Sequence, residues 1–215
     1  MKKIAVVLAG SGVYDGAEIH ESVLTMLAIS RKGASYQCFA PDKNQAHVVN
    51  HLTGEEMPET RNVLVEAARI ARGNIKPLSE YKAKDYDALI FPGGFGVAKN
   101  LCTFAFDGVD CTVTEEVEKV IQETNAANKP IGALCISPVL IAKVLEGVEV
   151  TIGQDEGASG AIETFGGKHI KTSHGEIVYD KKFNLVTTPC YMLDASIDQI
   201  ADGAYNVVTK ILELL

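Results

Sequence analysis

The sequence predicts an α/β fold that is built around a mostly parallel sheet. Short apolar runs closed by glycine or proline alternate with longer segments whose apolar residues recur at helical spacing. The first elements already follow one another as strand, helix and strand, an order typical of parallel strands joined by crossover helices. No linker, repeat or low-complexity segment interrupts residues 1–215, so we expect a single domain.

The first three elements set this pattern. Residues 2–10 are rich in Val, Ile and Ala and end in glycine, which predicts a buried strand. Residues 17–33 predict a helix that ends at Gly33. Its apolar residues at helical spacing are Ile19, Val23, Leu24, Leu27 and Ala28. Residues 34–42 predict the second strand.

The middle of the chain repeats the alternation after one irregular stretch. Residues 44–57 show neither period, so we expect irregular or hairpin structure there. Residues 62–73 predict a helix, and residues 86–94 predict a strand that ends in a Pro-Gly-Gly turn. An amphipathic helix is expected at 113–129, where Thr114 is the N-cap and acidic residues occupy the first turn.

The C-terminal part adds strands and a long helix. An apolar strand is expected at 130–135 and a helix at 137–147. Short strands follow at 175–180 and 184–189 within an otherwise mixed region. Residues 192–215 carry a continuous apolar stripe, which predicts a long helix that packs against the sheet.

Composition excludes several classes of protein. The formal net charge of -8 and the scattered basic residues argue against nucleic acid or anionic membrane as a partner. No apolar run approaches the ~20 residues that span a bilayer. Five cysteines, an odd number without a Cys-x-x-Cys pair, indicate free thiols in a reducing cytoplasm rather than disulfides or a zinc site. We expect no metal and no cofactor.

A cysteine stands where the strand at 130–135 gives way to the helix at 137–147. Parallel sheets bind ligands beyond the carboxyl ends of their strands, and Cys135 lies at such an end. Pro138 suits the first helical turn, so the helix N-terminus is expected to lower the pKa of the Cys135 thiol. The amide of Ile136 is then free to stabilise an oxyanion. The alternative is that Cys135 is a small buried hydrophobe.

Carboxylates follow the first strand on the same side of the sheet. Asp15, Glu18 and Glu21 precede or begin the helix at 17–33. A carboxyl on the buried face of that helix would hydrogen-bond the thiol, and burial would raise its own pKa. The alternative is that these residues only complement the helix N-terminus.

The glycine-rich stretch "FPGGFGVAKNL" at 91–101 ends a strand in the same way. It lacks the spacing of a P-loop and of a dinucleotide-binding fingerprint. Its glycines allow close backbone approach and supply amide donors, which favours an oxyanion loop beside a strand-end cysteine. Among the histidines, His169 and His174 are candidates to approach the site, while His47 and His51 lack a third metal ligand.

Five segments together resemble one known family. They are "GSGVYDGAEIHES", "FPGGFGVAKNL", "KPIGALCISPVLIAKVL", "GVEVTIG" and "VTTPCYM", in this order and over nearly the whole chain. They resemble the ElbB (enhancing lycopene biosynthesis) family, in the PfpI-like branch of the class I glutamine-amidotransferase-like superfamily. The resemblance implies a flavodoxin-like three-layer sandwich that forms a homodimer.

The resemblance also implies roles for individual residues. Cys135 would be the nucleophile and Glu21 its carboxyl partner, favoured over Glu18 by its distance from the end of the helix. The amides of Gly94 and Ile136 would hold an oxyanion. Further oxyanion or substrate contacts are expected from Gly93, Glu18 and His174.

Two positions depart from the family's relatives. Proteolytic relatives have a histidine directly after the nucleophile, where this chain has Ile136, and deglycase-like relatives use a histidine where it has Gly153. These departures argue against a protease or a glutaminase. The resemblance, whose superfamily includes glyoxalases, implies a glyoxalase-like lyase that converts small 2-oxoaldehydes to hydroxy acids without glutathione. The alternatives are a non-enzymatic redox sensor that uses the same cysteine and an amidotransferase-like subunit without glutaminase activity.

Overall fold

The computed structural model describes residues 1–215. Its strands are β1 (Lys3–Val7), β2 (Ser35–Ala40), β3 (Ile75–Pro77), β4 (Ala88–Phe91), β5 (Ile131–Leu134), β6 (Glu149–Val150), β7 (Lys168–His169), β8 (Val178–Asp180) and β9 (Leu185–Thr188). Its α-helices are α1 (Ile19–Arg31), α2 (Val63–Ile70), α3 (Phe104–Asp107), α4 (Glu115–Ala126), α5 (Ser137–Val144), α6 (Glu156–Thr164) and α7 (Ile197–Glu213). None of the helices combines the length and apolar character that crossing a membrane requires.

Seven strands form one sheet in the order β3-β2-β1-β4-β5-β9-β8. All neighbouring pairs in it are parallel except β8 and β9, which are antiparallel. The short strands β6 and β7 pair separately. The predicted α/β fold, a flavodoxin-like sandwich with a mostly parallel sheet, is confirmed.

Both faces of the sheet are buried, which explains why its strands are apolar runs without alternation. In β4, Leu89 and Phe91 belong to the core on the side of α4 and α5, whereas Ile90 belongs to the core on the side of α1 and α7. In β1, Val7 belongs to the core on the side of α4 and α5, and Val6 belongs to the core on the side of α1 and α7. This period of two is the geometry of a strand whose successive side chains point to opposite faces.

The parallel register brings the carboxyl ends of the central strands to one edge. Phe91 of β4 is paired with Ala133 of β5, and Leu134 of β5 is paired with Thr188 of β9. The turns that follow β4, β5 and β9 are therefore neighbours, as ligand sites of open α/β sheets require.

Two features differ from the prediction. Helix α1 is present, but Ile19, Val23 and Leu27 of its predicted apolar set are 40% or more exposed, and its buried face carries Glu21 and Ser22. Helix α6 lies in the region that was expected to be mixed, and it begins at an Asp N-cap that the sequence analysis did not use.

Candidate functional site: a thiol and a carboxyl at the sheet edge

Cys135 occupies a sharp turn between β5 and α5. Its φ of 60° lies in the left-handed region, which is uncommon for a residue with a side chain. The turn is held by the Cys135 amide, which donates to the Thr188 carbonyl at 3.0 Å. A strained residue between strand and helix is the geometry of a nucleophile elbow. The side chain is only 7% exposed.

Glu21 reaches the thiol from the buried face of α1 and is 0% exposed. The Gly93 amide donates to its Oε2 at 2.8 Å, and the Tyr191 amide donates to its Oε1 at 3.3 Å. The carboxyl group lies beside the Cys135 thiol, because a Cβ at Gly93 would lie within 3 Å of both Glu21 Oε2 and Cys135 Sγ. Three separate turns therefore converge on this pair.

Two further amides face the sulfur. The backbone N–H groups of Gly94 and Ile136 favour the thiolate form of Cys135, which lowers its pKa against the effect of burial. Gly94 has a φ of 99°, which favours glycine, and the hydroxyl of Ser137 donates to the Pro92 carbonyl at 2.8 Å, which fixes the glycine turn against α5. The structure thus brings Gly94 and Ile136 to the thiol as the resemblance implied.

Gly93 does not fill the oxyanion role expected for it. Its amide is committed to Glu21, and its missing side chain leaves the space that the pair occupies. A Cβ at this position would lie 2.6 Å from Glu21 Oε2 and 2.9 Å from Cys135 Sγ. Gly93 is therefore a positioning residue for the carboxyl.

Burial governs the protonation of the pair. It raises the pKa of Glu21 to about 7, with a further increase from the charge of Glu18, while the Gly93 and Tyr191 amides oppose the rise. Burial also raises the pKa of the Cys135 thiol, and the Glu21 charge adds to this. Above pH ~7 the pair therefore holds one proton between sulfur and carboxyl.

The expected lowering of the thiol pKa by the helix is therefore wrong for the resting pair. The amides of Gly94 and Ile136 do favour the thiolate, but desolvation and the adjacent carboxylate outweigh them. A thiolate forms when the shared proton moves to Glu21. The carboxyl that raises the thiol pKa is then neutral.

Glu18 is the N-cap of α1 rather than a partner of the thiol. Its Oε2 accepts from the Glu21 amide at 2.6 Å, and its own amide donates to the Gly93 carbonyl at 2.9 Å. Asp15 points elsewhere and accepts from the Val49 amide at 2.7 Å. Of the three candidate carboxylates, only Glu21 acts on the ionisation of Cys135.

A pocket of about 500 Å³ opens above the thiol. Most of its wall is apolar, and its two carboxylates belong to Glu18 and Asp155. The fourteen lining residues are Val13, Glu18, Gly94, Phe95, Ala98, Phe104, Ala105, Cys135, Ile136, Asp155, Gly157, Ala158, Tyr191 and Met192. Glu21 lies behind the thiol and outside this lining.

No histidine lines the pocket, and the expected approach of His174 is wrong. His174 lies in a separate, more open cavity of about 720 Å³, together with Asp202 and Lys210. The segment that carries it leads to edge strand β8, on the far side of β9 from β5, and Asn206 of α7 donates to its Gly175 carbonyl.

Gly153, at the position where deglycase-like relatives have a histidine, also has no space for that side chain. A Cβ at Gly153 would lie 2.9 Å from Leu193 Cδ2 and 3.0 Å from Pro189 Cβ. A histidine therefore does not fit there without displacing the turn after β9. No group of three His, Cys, Asp or Glu side chains is arranged to hold a metal ion.

The segment after β9 contributes a contact to Glu21 that no sequence pattern predicts. The Tyr191 amide holds Glu21, and the Tyr191 hydroxyl lies 2.8 Å from His20 Nδ1. Cys190 directly precedes Tyr191, and burial raises the pKa of its thiol, with a further increase from the charges of Glu21 and Cys135. Cys190 follows the strand predicted at 184–189, so the sequence already indicates a place near the same cleft, whereas no sequence pattern indicates the role of the Tyr191 amide.

Two curated relatives match nearly the whole chain. The human protein named "Glutamine amidotransferase-like class 1 domain-containing protein 3, mitochondrial" is 50% identical over 222 residues, which cover 99% of this chain and 83% of that protein. The rat "ES1 protein homolog, mitochondrial" is 49% identical over 222 residues, which cover 99% of this chain and 84% of that protein. No family model matches the chain.

Solved structures share the fold over the same length. An isoprenoid biosynthesis protein with an amidotransferase-like domain from Ehrlichia chaffeensis superposes with a TM-score of 0.93 at 37% identity, covering 99% of this chain and 100% of that one. Glyoxalase III from Candida albicans superposes with a TM-score of 0.64 at 14% identity, covering 99% and 96%. The second likeness shows the fold alone.

The comparisons overturn the predicted cytoplasmic location. The human and rat relatives and a zebrafish protein that is 36% identical all carry the word mitochondrial in their names. The prediction was based on free thiols, which indicate a reducing compartment. That criterion does not distinguish one reducing compartment from another.

Proposed function

The chain belongs to the glutamine amidotransferase-like class 1 domain family, with the ES1 and ElbB-like proteins, and from this premise we propose that it is a cysteine-dependent glyoxalase-like lyase. Its substrates are small 2-oxoaldehydes, and its products are the corresponding hydroxy acids. The observation that carries the proposal is the Cys135 thiol, which lies beside a buried carboxyl, is faced by two amides and is open to a pocket.

The first step is addition of sulfur to the aldehyde. The shared proton moves to Glu21, and the thiolate forms a C–S bond with the aldehyde carbon. The carbonyl oxygen becomes an oxyanion next to the amides of Gly94 and Ile136. Glu21 gives its proton to that oxygen, which yields a hemithioacetal and returns Glu21 to its carboxylate form.

The later steps need no external oxidant or reductant. Glu21 carries the hydrogen of the aldehyde carbon, as a proton, to the neighbouring carbonyl carbon through an enediol. The aldehyde carbon is thereby oxidised to a thioester, while its neighbour is reduced to an alcohol. Water then cleaves the C–S bond and releases the hydroxy acid, and the thiol recovers its proton.

The arrangement of side chains supports this reaction over hydrolysis of peptides or glutamine. Those reactions need a base that activates the thiol and protonates a nitrogen leaving group. No histidine lines the pocket, and positions 136 and 153 hold Ile136 and Gly153. A carboxyl that shares one proton with the thiol is sufficient for isomerising an aldehyde.

The test is conversion of glyoxal to glycolate and of methylglyoxal to lactate in the absence of glutathione. We expect stoichiometric hydroxy acid from the wild-type protein and none above the uncatalysed rate from Cys135→Ala. Equal rates for the two proteins overturn the proposal.

A redox role for the same thiol is the second candidate, favoured by Cys190, which directly precedes the residue whose amide binds Glu21. Peroxide would oxidise the Cys135 thiolate to a sulfenic acid, whose attack by the Cys190 thiol would form a disulfide and release water. Mass spectrometry after mild peroxide treatment distinguishes the two. Selective oxidation of Cys135 in a protein that turns over no aldehyde favours the redox role.

A further inference from the structure

The charges in the wall of the thiol pocket all have one sign. Glu18 and Asp155 are its charged residues, and no Lys, Arg or His is among the lining residues. Lys99 packs over the Phe95 ring at 5.6 Å, but its ammonium group donates to the Tyr14 carbonyl at 2.9 Å and does not line the pocket. An anion in this pocket would therefore lack a cationic partner.

Both carboxylates are fixed in place by helix caps. Glu18 accepts from the Glu21 amide at the start of α1. Asp155 accepts from the Ala158 amide at 2.7 Å at the start of α6. Each cap holds its carboxylate against the first turn of the helix. Neither group is free to swing away from a bound anion.

The rest of the wall is apolar and encloses more space than glyoxal or methylglyoxal fills. Ten of the fourteen lining residues are hydrophobic, and the volume of about 500 Å³ is in the range of sites that hold drug-sized ligands. An apolar substituent on the aldehyde would bury its surface here favourably. A carboxylate would lose its hydration without gaining a partner.

We infer that the pocket selects uncharged 2-oxoaldehydes with an apolar substituent of aryl size and excludes aldehydes that carry a carboxylate. This inference rests on the proposed function for the reaction itself. It has a second consequence: the hydroxy acid product is an anion that forms between like charges. Glu18 and Asp155 therefore favour its release.

Two substrates of nearly equal shape test the selectivity. Phenylglyoxal is uncharged, whereas 4-carboxyphenylglyoxal adds one negative charge to the same ring. We expect kcat/KM to be higher for phenylglyoxal by about tenfold or more, equivalent to ~1.4 kcal/mol. Asp155→Asn keeps a capping oxygen and removes one negative charge from the pocket wall. We therefore expect the ratio of kcat/KM for phenylglyoxal to kcat/KM for 4-carboxyphenylglyoxal to be smaller in this variant than in the wild type.

The matched control is Asp202→Asn, which removes the same charge in the separate cavity. It is expected to leave the ratio unchanged. Equal kcat/KM values for the two arylglyoxals in the wild type overturn the inference and leave the glyoxalase function standing. A ratio that narrows as much in Asp202→Asn as in Asp155→Asn also overturns it, because the discrimination is then a property of net charge.

A labelling experiment separates the pocket from the reaction. Iodoacetamide and iodoacetate alkylate the same thiolate, but only iodoacetate is charged. Mass spectrometry measures the rate at which each reagent alkylates Cys135. We expect the ratio of the iodoacetamide rate to the iodoacetate rate to be about tenfold higher for Cys135 than for free N-acetylcysteine. We expect this ratio to be smaller in Asp155→Asn than in the wild type. If Cys135 shows this preference for iodoacetamide but the protein converts no 2-oxoaldehyde, the selectivity of the pocket against anions is supported and the glyoxalase function is overturned. If Cys135 shows no greater preference for iodoacetamide than N-acetylcysteine does, the proposed selectivity of the pocket against anions is overturned.

Discussion

Glu21 and Cys135 form a buried acid–thiol pair in which each group has its own two backbone donors. The amides of Gly93 and Tyr191 bind the carboxyl, and those of Gly94 and Ile136 bind the sulfur. Negative charge is therefore stabilised at either end, while burial disfavours charge at both ends simultaneously. A pair that holds a single proton follows from this balance, and movement of that proton exposes a thiolate to the pocket.

The Glu21 carboxyl should be essential to turnover. Glu21→Gln keeps the size of the side chain but cannot take the thiol proton, so we expect kcat/KM to fall by about 10²- to 10⁴-fold. Glu21→Asp shortens the reach of an ionisable group and should retain more activity than the amide. Steady-state kinetics with methylglyoxal measure both. Activity of Glu21→Gln within a few fold of wild type would exclude a proton-transfer role.

The pH dependence of the reaction should report the pair. Because burial raises the Glu21 pKa to about 7, the doubly protonated pair is inactive below that pH. The singly protonated pair persists above it, since the Cys135 pKa is also raised. We expect kcat/KM to rise through pH ~7 and then level off, and the rise to move to higher pH in Glu21→Gln. A flat profile between pH 6 and 8 would contradict the shared proton.

The same ionisation should appear in protein stability. The Glu21 pKa is raised on folding from 4.5 to about 7, so the unfolded chain binds fewer protons between these values. The free energy of unfolding therefore falls as pH rises through this window, by at most about 3 kcal/mol. Urea unfolding at pH 5 and pH 8 should show this loss in the wild type beyond that in Glu21→Gln. If the free energy of unfolding falls equally in the wild type and in Glu21→Gln between pH 5 and pH 8, the fall is due to groups other than Glu21.

Gly93→Ala should disrupt the pair directly. The new methyl group would lie under 3 Å from both Glu21 Oε2 and Cys135 Sγ. We expect a destabilisation of about 1–3 kcal/mol and a loss of aldehyde turnover. Gly160→Ala is the matched control, since a Cβ there meets nothing within 4 Å and α6 gains about 0.5–1 kcal/mol. Thermal unfolding and kinetics of both variants decide whether the space at Gly93 is reserved for the pair.

We propose that the exposed face of α1 holds two copies of the chain together. Ile19, Val23 and Leu27 lie at successive i+4 positions and are 40% or more exposed. Val23→Glu should convert a homodimer to a monomer in sedimentation velocity. Val65→Glu, at a more exposed position on α2, should leave the dimer intact. A wild-type monomer, or a dimer that survives Val23→Glu, would reject this interface.

The order of elements was predictable because a sheet that is buried on both faces leaves apolar runs at each central strand. The turn at Cys135 was predictable as well, since Pro138 marks the start of α5 and the strand before it is apolar. The face of α1 was not predictable from its period. Its apolar residues at helical spacing include Val23, which is exposed, because the buried face is used to carry Glu21 to the thiol.

The details of the site depended on contacts between distant turns. Gly93 and Gly94 are adjacent, yet one amide serves the carboxyl and the other serves the sulfur, and no sequence pattern separates these roles. His174 was misplaced because its segment follows the short strand β7 and returns to the sheet edge. The direction of the Cys135 pKa was wrong because a helix N-terminus was weighed without the burial that surrounds it.

The most direct measurement of the central claim is a proton NMR time course of methylglyoxal with the purified protein at pH 7.5 and without glutathione. The account predicts that each methylglyoxal consumed appears as lactate, and that both Cys135→Ala and Glu21→Gln abolish or severely slow this conversion. Persistence of methylglyoxal with the wild-type protein, or lactate formed equally fast by Cys135→Ala, would contradict it.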